Sequence, residues 1–164
     1  MSALTSAQVP AVGPGDHVRG DGPEAILYLD LACQHCAAAW PRISRLPLRL
    51  VFRHFPVSSK HPRAPTLHAG VEAVALQMGE EAAWSFIDSI YRDQGRIDDP
   101  HLWERARGQG LDLERFELDR RSNAAVERVR RDFESGIRAG VTGTPAIFLE
   151  GRAASLDDLR SHAL

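Results

Sequence analysis

The stretch Ala25-Ile26-Leu27-Tyr28-Leu29-Asp30-Leu31-Ala32-Cys33-Gln34-His35-Cys36 decides how this chain reads. Residues 25–31 form a near-continuous apolar run, as expected of a strand buried on both faces. Both cysteines of the 164-residue chain follow at once, three apart, where the strand gives way to a helix rich in alanine, Ala37 to Ala39. Pro41 cannot donate to a helical ladder, so the helix expected over 33–44 kinks or ends there. The thiolate, not the thiol, is the nucleophile, and at a pKa near 8.5 only a few per cent is ionised at neutral pH. A cysteine at a helix start faces unpaired N–H groups and the positive end of the helix dipole, which lower that pKa. Cys33 is therefore expected to be the exposed, attacking sulfur and Cys36, almost one turn further in, the shielded, resolving one. His35, between them, is expected to stabilise the Cys33 thiolate by charge or hydrogen bond and so to help set the potential. The chemistry these residues point to is thiol–disulfide exchange, which needs no cofactor beyond the two sulfurs.

Working outward, residues 1–23 are rich in glycine and proline and poor in large apolar groups. They read as a flexible N-terminal arm with a short edge strand near His17-Val18. Leu48 to Phe55 is the next strand. The period then changes from two to 3.6: Leu67, Val71, Val74, Ala75 and Met78, then Trp84, Ile87, Ile90 and Tyr91, fall on helical stripes. Asp99-Pro100 reads as an N-cap followed by proline at the first helical position, and Val126, Val129, Phe133 and Ile137 mark a longer helix that Gly140 ends. Ala146 to Leu149 is a strand, Glu150-Gly151 a turn into a brief return, and Ser155 with Asp158 caps a last helix. The order implies an α/β domain over 24–164 with a large helical insertion at about 64–140.

The formal net charge of −2 argues against partners reached by bulk electrostatics, so neither nucleic acid nor an anionic membrane is expected. The arginines at 120, 121, 128, 130 and 131 alternate with Asp119, Glu127, Asp132 and Glu134, and read as a solvated, self-paired helix face. No apolar run is long enough to span a membrane, and the first eight residues have neither a basic nor an apolar leader segment. A cytoplasmic location is the expectation, and there a C-x-x-C is more often catalytic or metal-binding than structural.

At Tyr28–Cys36, Phe52-Arg53-His54-Phe55-Pro56 and Gly140–Phe148 the chain resembles the DsbA-like branch of the thioredoxin superfamily. It is similar to the thioredoxin-like domain fused to some sodium/proton antiporters, and the resemblance covers about residues 16–152. It implies a thioredoxin-like fold whose helical insertion caps the active site, and a protein thiol–disulfide oxidoreductase acting on protein or peptide cysteines. The redox partner would be another protein or a low-molecular-weight thiol. It further implies that Thr144-Pro145 is a cis peptide facing the cysteines, with the Thr144 backbone and Gln34 against the substrate. Two features depart from the family pattern. An acidic residue common six positions before the first cysteine is Leu27 here, leaving Asp30, at the strand end, as the nearer carboxylate. Gln34-His35 also lacks the proline common inside the pair.

Two other readings compete. The fold could serve as a redox sensor or a binding module without turnover. A zinc site would need four ligands, and only His54 and His61 offer to complete the two thiols, so no metal is expected. Plain readings of the remaining residues put His54 at a strand end, at least partly exposed, and His61, His68, His101 and His162 on the surface. Trp40, Trp84 and Trp103 fit apolar helix faces and are expected in the core.

Overall fold

A computed structural model describes residues 8–163. Residues 1–7 of the expected arm lie outside the described residues. In chain order the elements are β1 (His17–Arg19), β2 (Glu24–Leu29), α1 (Gln34–Ile43), β3 (Arg49–His54), α2 (Ala64–Met78), α3 (Glu80–Arg92), α4 (Asp99–Gly108), α5 (Leu113–Arg120), α6 (Asn123–Arg138), β4 (Ala146–Leu149), β5 (Arg152–Ala154) and α7 (Leu156–His162). The strands form one sheet in the order β1-β3-β2-β4-β5. β2 and β3 run parallel, with Ala25 opposite Leu50 and Leu29 opposite His54, which requires the crossover that α1 supplies. The other pairings are antiparallel, and the Glu150-Gly151 turn joins β4 to β5 as a hairpin.

β2 sits centrally and explains the apolar run: its alternate side chains serve two cores. Ala25, Leu27 and Leu29 face Trp40, Ile43, Val71, Phe86 and Ile90 of the helices on one side. Ile26 and Tyr28 face Val51, Phe55, Phe133, Val141 and Phe148 on the other. The second face is crowded. A Cβ on Gly136 of α6 would lie 2.8 Å from the Phe55 ring and 2.9 Å from that of Tyr28, so only glycine lets α6 approach the sheet.

The five helices α2 to α6 all lie between β3 and β4 in the chain. Trp40 of α1 stacks on Trp84 of α3 with ring centroids 6.2 Å apart, and its Nε1 donates to Asp88 at 2.8 Å. Together these clamp the cysteine-bearing helix to the insertion. Ser155 and Asp158 form the reciprocal capping box at the start of α7.

Several local readings change. Asp98, not Asp99, caps α4, accepting from the His101 N–H, which places Pro100 one position further in. Residues 16–19 are tied into the sheet rather than loose: Arg53 of β3 donates from Nε and Nη2 to both Asp16 oxygens at 3.0 Å, both side chains being buried. The arginine face of α6 is solvated only in part. Arg130 pairs with Glu127 outside, but Arg128 turns inward between Asp16 and Asp132, and Asp132 is buried. Trp103 is only partly buried, with Nε1 donating to Glu117 at 2.7 Å. The largest correction concerns His54 and His68, both wholly buried. Their rings hydrogen-bond through the two Nδ1 atoms at 2.8 Å, which satisfies polar groups that would otherwise be costly in a core.

Candidate active site

Cys33 is the residue that caps α1, in extended backbone conformation (φ −87°, ψ 124°), with no side-chain cap and no acidic residue in the first helical turn. The opening N–H groups are therefore free to face its sulfur. The loop that delivers it is fastened on every side. Cys33 N–H donates to the Asp30 carbonyl at 3.1 Å. The buried Asp30 carboxylate accepts from Ala32 N–H at 2.8 Å and Val57 N–H at 2.9 Å. Tyr91 OH donates to the Asp30 carbonyl at 3.0 Å, Gln94 Nε2 to the Leu31 carbonyl at 2.9 Å, and Leu31 N–H to His68 Nε2 at 3.0 Å.

Both cysteines are free thiols. Cys33 retains 5% of its surface and Cys36 1%, so the Cys33 sulfur is less open than its helix-terminal position suggests. The reason is the loop before β4: the Thr144 carbonyl lies 3.8 Å from Cys33 Sγ, and the Thr144–Pro145 peptide is cis. Gln34 and His35 are exposed on the first turn beside the pair.

The two sulfurs are electrostatically opposite. A hydrogen bond from the Cys36 thiol, helped by Thr144 and by the main-chain N–H groups of Cys36 and His35, brings Cys33 down to about 5 despite its burial. The same Cys33 contact, and then burial, push Cys36 far above the ordinary thiol range. His35 acts on Cys33 here through its backbone N–H, so the work expected of its ring falls to Cys36. Leu27 is buried in the core and carries no proton-accepting group. Besides Cys33, the groups that act on Cys36 are the Asp30 backbone and Thr144, and beside it stands Tyr91, whose buried hydroxyl is held well above its usual range by burial and then by Cys36, Asp30 and Cys33.

Asp30 is marked in the sequence by its place at the strand end. Tyr91, Gln94 and His68 carry no such signal: they lie 61, 63 and 37 residues from the loop groups they bind, Tyr91 and His68 on helices whose apolar stripes are all the sequence shows, and Gln94 just after α3. As to zinc, the one group of three or more metal-ligating side chains among the described residues contains neither cysteine.

Residues 51–163 match the DSBA-like thioredoxin domain family, a span that begins beyond the cysteine pair. The chain is 37% identical over 155 residues to the Na(+)/H(+) antiporter NhaA of Herminiimonas arsenicoxydans, covering 87% of this chain and 24% of the antiporter. It is 31% identical over 157 residues to the Na(+)/H(+) antiporter NhaA 3 of Salinispora tropica, covering 91% and 24%. The chain thus spans about a quarter of the length of the curated relatives it matches. Among solved structures, the thiol-disulfide exchange protein alpha-DsbA2 of Wolbachia pipientis superposes with a TM-score of 0.80 at 20% identity, over 92% of this chain and 86% of that one. Pseudomonas aeruginosa DsbA2 gives 0.71 at 25% identity, over 93% and 94%. Sheet order, inserted helices and the family match over well more than half the residues agree, and the chain belongs to the DSBA-like thioredoxin domain family.

Proposed function

We propose that this domain is a thiol–disulfide oxidoreductase that exchanges disulfides with cysteines of proteins or peptides. The observation that carries the reading is the opposite perturbation of the two thiols, Cys33 down to about 5 and Cys36 far up. At neutral pH this leaves one thiolate and one thiol, the starting state for a two-step exchange. In the reducing direction Cys33 thiolate attacks one sulfur of a substrate disulfide, forming a mixed disulfide and expelling the other as thiolate. The negative charge on Cys33 is then gone, and with it the main influence holding the Cys36 proton. Cys36 gives up that proton to the thiolate already expelled, attacks Cys33 Sγ and releases the second substrate thiolate. The oxidising direction is the reverse, starting from the Cys33–Cys36 disulfide. In this reading the Thr144 main chain lines an extended substrate segment beside Cys33, and Gln34 and His35 form the exposed rim it meets.

Catalysed insulin reduction, with repeated turnover by the wild type and none by Cys33→Ser, is the test. Cys36→Ser should instead accumulate a mixed disulfide at Cys33. A protein that oxidises and reduces once but never turns over would be a sensor, and the reading would fall.

A further inference from the structure

A second polar centre is buried away from the cysteines. Glu72 on α2 is met by His17 from β1 and His54 from β3, and all three side chains are buried. His17 Nε2 makes a short contact with Glu72 Oε2, and His54 Nε2 lies 3.0 Å from the same oxygen. The three donor atoms are all within 4.8 Å of one another. We propose that His17, His54 and Glu72 are a binding site for one divalent transition-metal ion of the zinc class.

Three features support a metal over a plain hydrogen-bond network. The first is convergence. Two imidazoles donating to a carboxylate are best served by its two oxygens, yet both rings address Oε2, so the three atoms surround one point. The second is the donor set: two imidazole nitrogens and one carboxylate oxygen are a ligand combination that suits zinc and leaves a fourth position for water. The third is the outer layer. A ligating histidine normally has its other nitrogen held by a partner that fixes the ring. Here His17 Nδ1 is 2.9 Å from a Glu80 oxygen, and His54 Nδ1 is 2.8 Å from His68 Nδ1. Access is from the α3 side, where the Glu80 side chain is 45% exposed.

Binding has one internal cost, which locates its effect. Leu31 N–H can only donate, so without metal His68 Nε2 accepts from it, His68 Nδ1–H donates to His54, and His54 Nε2 carries the proton facing Glu72. With His54 Nε2 on a metal, its proton sits on Nδ1 and donates to His68. The His68 proton moves to Nε2, 3.7 Å from the Asp30 carboxylate, and Leu31 N–H loses its acceptor. One main-chain hydrogen bond is given up against three metal–ligand bonds, so the exchange favours the metal. Leu31 lies two residues before Cys33, which links the centre to the cysteine loop.

The experiment uses the full chain as a Cys33→Ser/Cys36→Ser variant, so that no thiol can bind. Zn(II) content after equilibrium dialysis should be one ion per chain. Co(II) in its place should give visible d–d bands without sulfur-to-metal charge transfer. Glu72→Gln should abolish stoichiometric binding. Glu80→Gln, at a half-exposed position where the amide oxygen can still accept from Val18 N–H and Trp84 Nε1, should weaken it by about 10- to 100-fold, as expected for loss of an outer partner. Absence of stoichiometric Zn(II) in the cysteine-free chain would overturn the proposal, as would equal affinity in that chain with and without Glu80→Gln.

Discussion

Replacing Cys36 by alanine removes the contact that contributes most to the low pKa of Cys33, which fixes the direction of the effect. Four groups pull Cys33 from an ordinary value near 8.5 to about 5 against burial: the Cys36 thiol first, then Thr144 and the N–H groups of Cys36 and His35. Cys36→Ala should therefore raise the Cys33 pKa toward the ordinary thiol range, by on the order of one unit. Cys36→Ser keeps a donor and should raise it less. His35→Ala keeps the backbone N–H and should leave it unchanged, contrary to what the sequence spacing suggested. Ultraviolet thiolate absorbance followed against pH reads this directly, because Cys36 itself ionises far higher and does not overlap. A Cys33 pKa unmoved in Cys36→Ala, or raised as much in His35→Ala, would refute the view that the buried thiol rather than the exposed ring tunes the nucleophile.

Three further outcomes are expected. With a Cys33 pKa of about 5, the pair should sit between thioredoxin (pKa about 7, about −270 mV) and DsbA (about 3.5, about −120 mV); at about 30 mV per pKa unit counted from either, a glutathione titration should give a value between about −210 and about −165 mV. The stability of the reduced form relative to Cys33→Ser/Cys36→Ser should depend on pH with two signs. Cys33, lowered in the fold to about 5, contributes fully above about 8.5 and loses this as pH falls toward 5, whereas Cys36, raised in the fold, contributes below about 8.5 and loses it above. Thermal unfolding of the two proteins should thus differ most near pH 8.5, and a difference that shrinks steadily from pH 5 upward would contradict the assignment. Gly136→Ala should cost about 1–3 kcal/mol in urea unfolding, because its methyl would press on the Phe55 and Tyr28 rings.

The cysteine loop, the central strand and the helical insertion were legible in the sequence because each rests on a local signal. Residues 25–31 are apolar without a break until the strand ends, so they had to lie inside a sheet. The spacing of Cys33 and Cys36 placed both sulfurs at one helix start, and the stripes of α2, α3 and α6 announced helices whatever they packed against. Only the tertiary structure decided that the Cys36 thiol rather than the His35 ring donates to Cys33, that His35 turns its ring to solvent, and that Tyr91 and His68 reach the loop at Asp30 and Leu31. The same holds for His17, His54 and Glu72, which look like three unrelated polar residues in a row of letters. A periodic pattern records how much apolar surface a segment must bury, a property of the segment alone. The partner of a buried polar group depends on where distant segments cross, and at His17, His54, His68 and Glu72 that crossing is made by β1, β3 and α2 together.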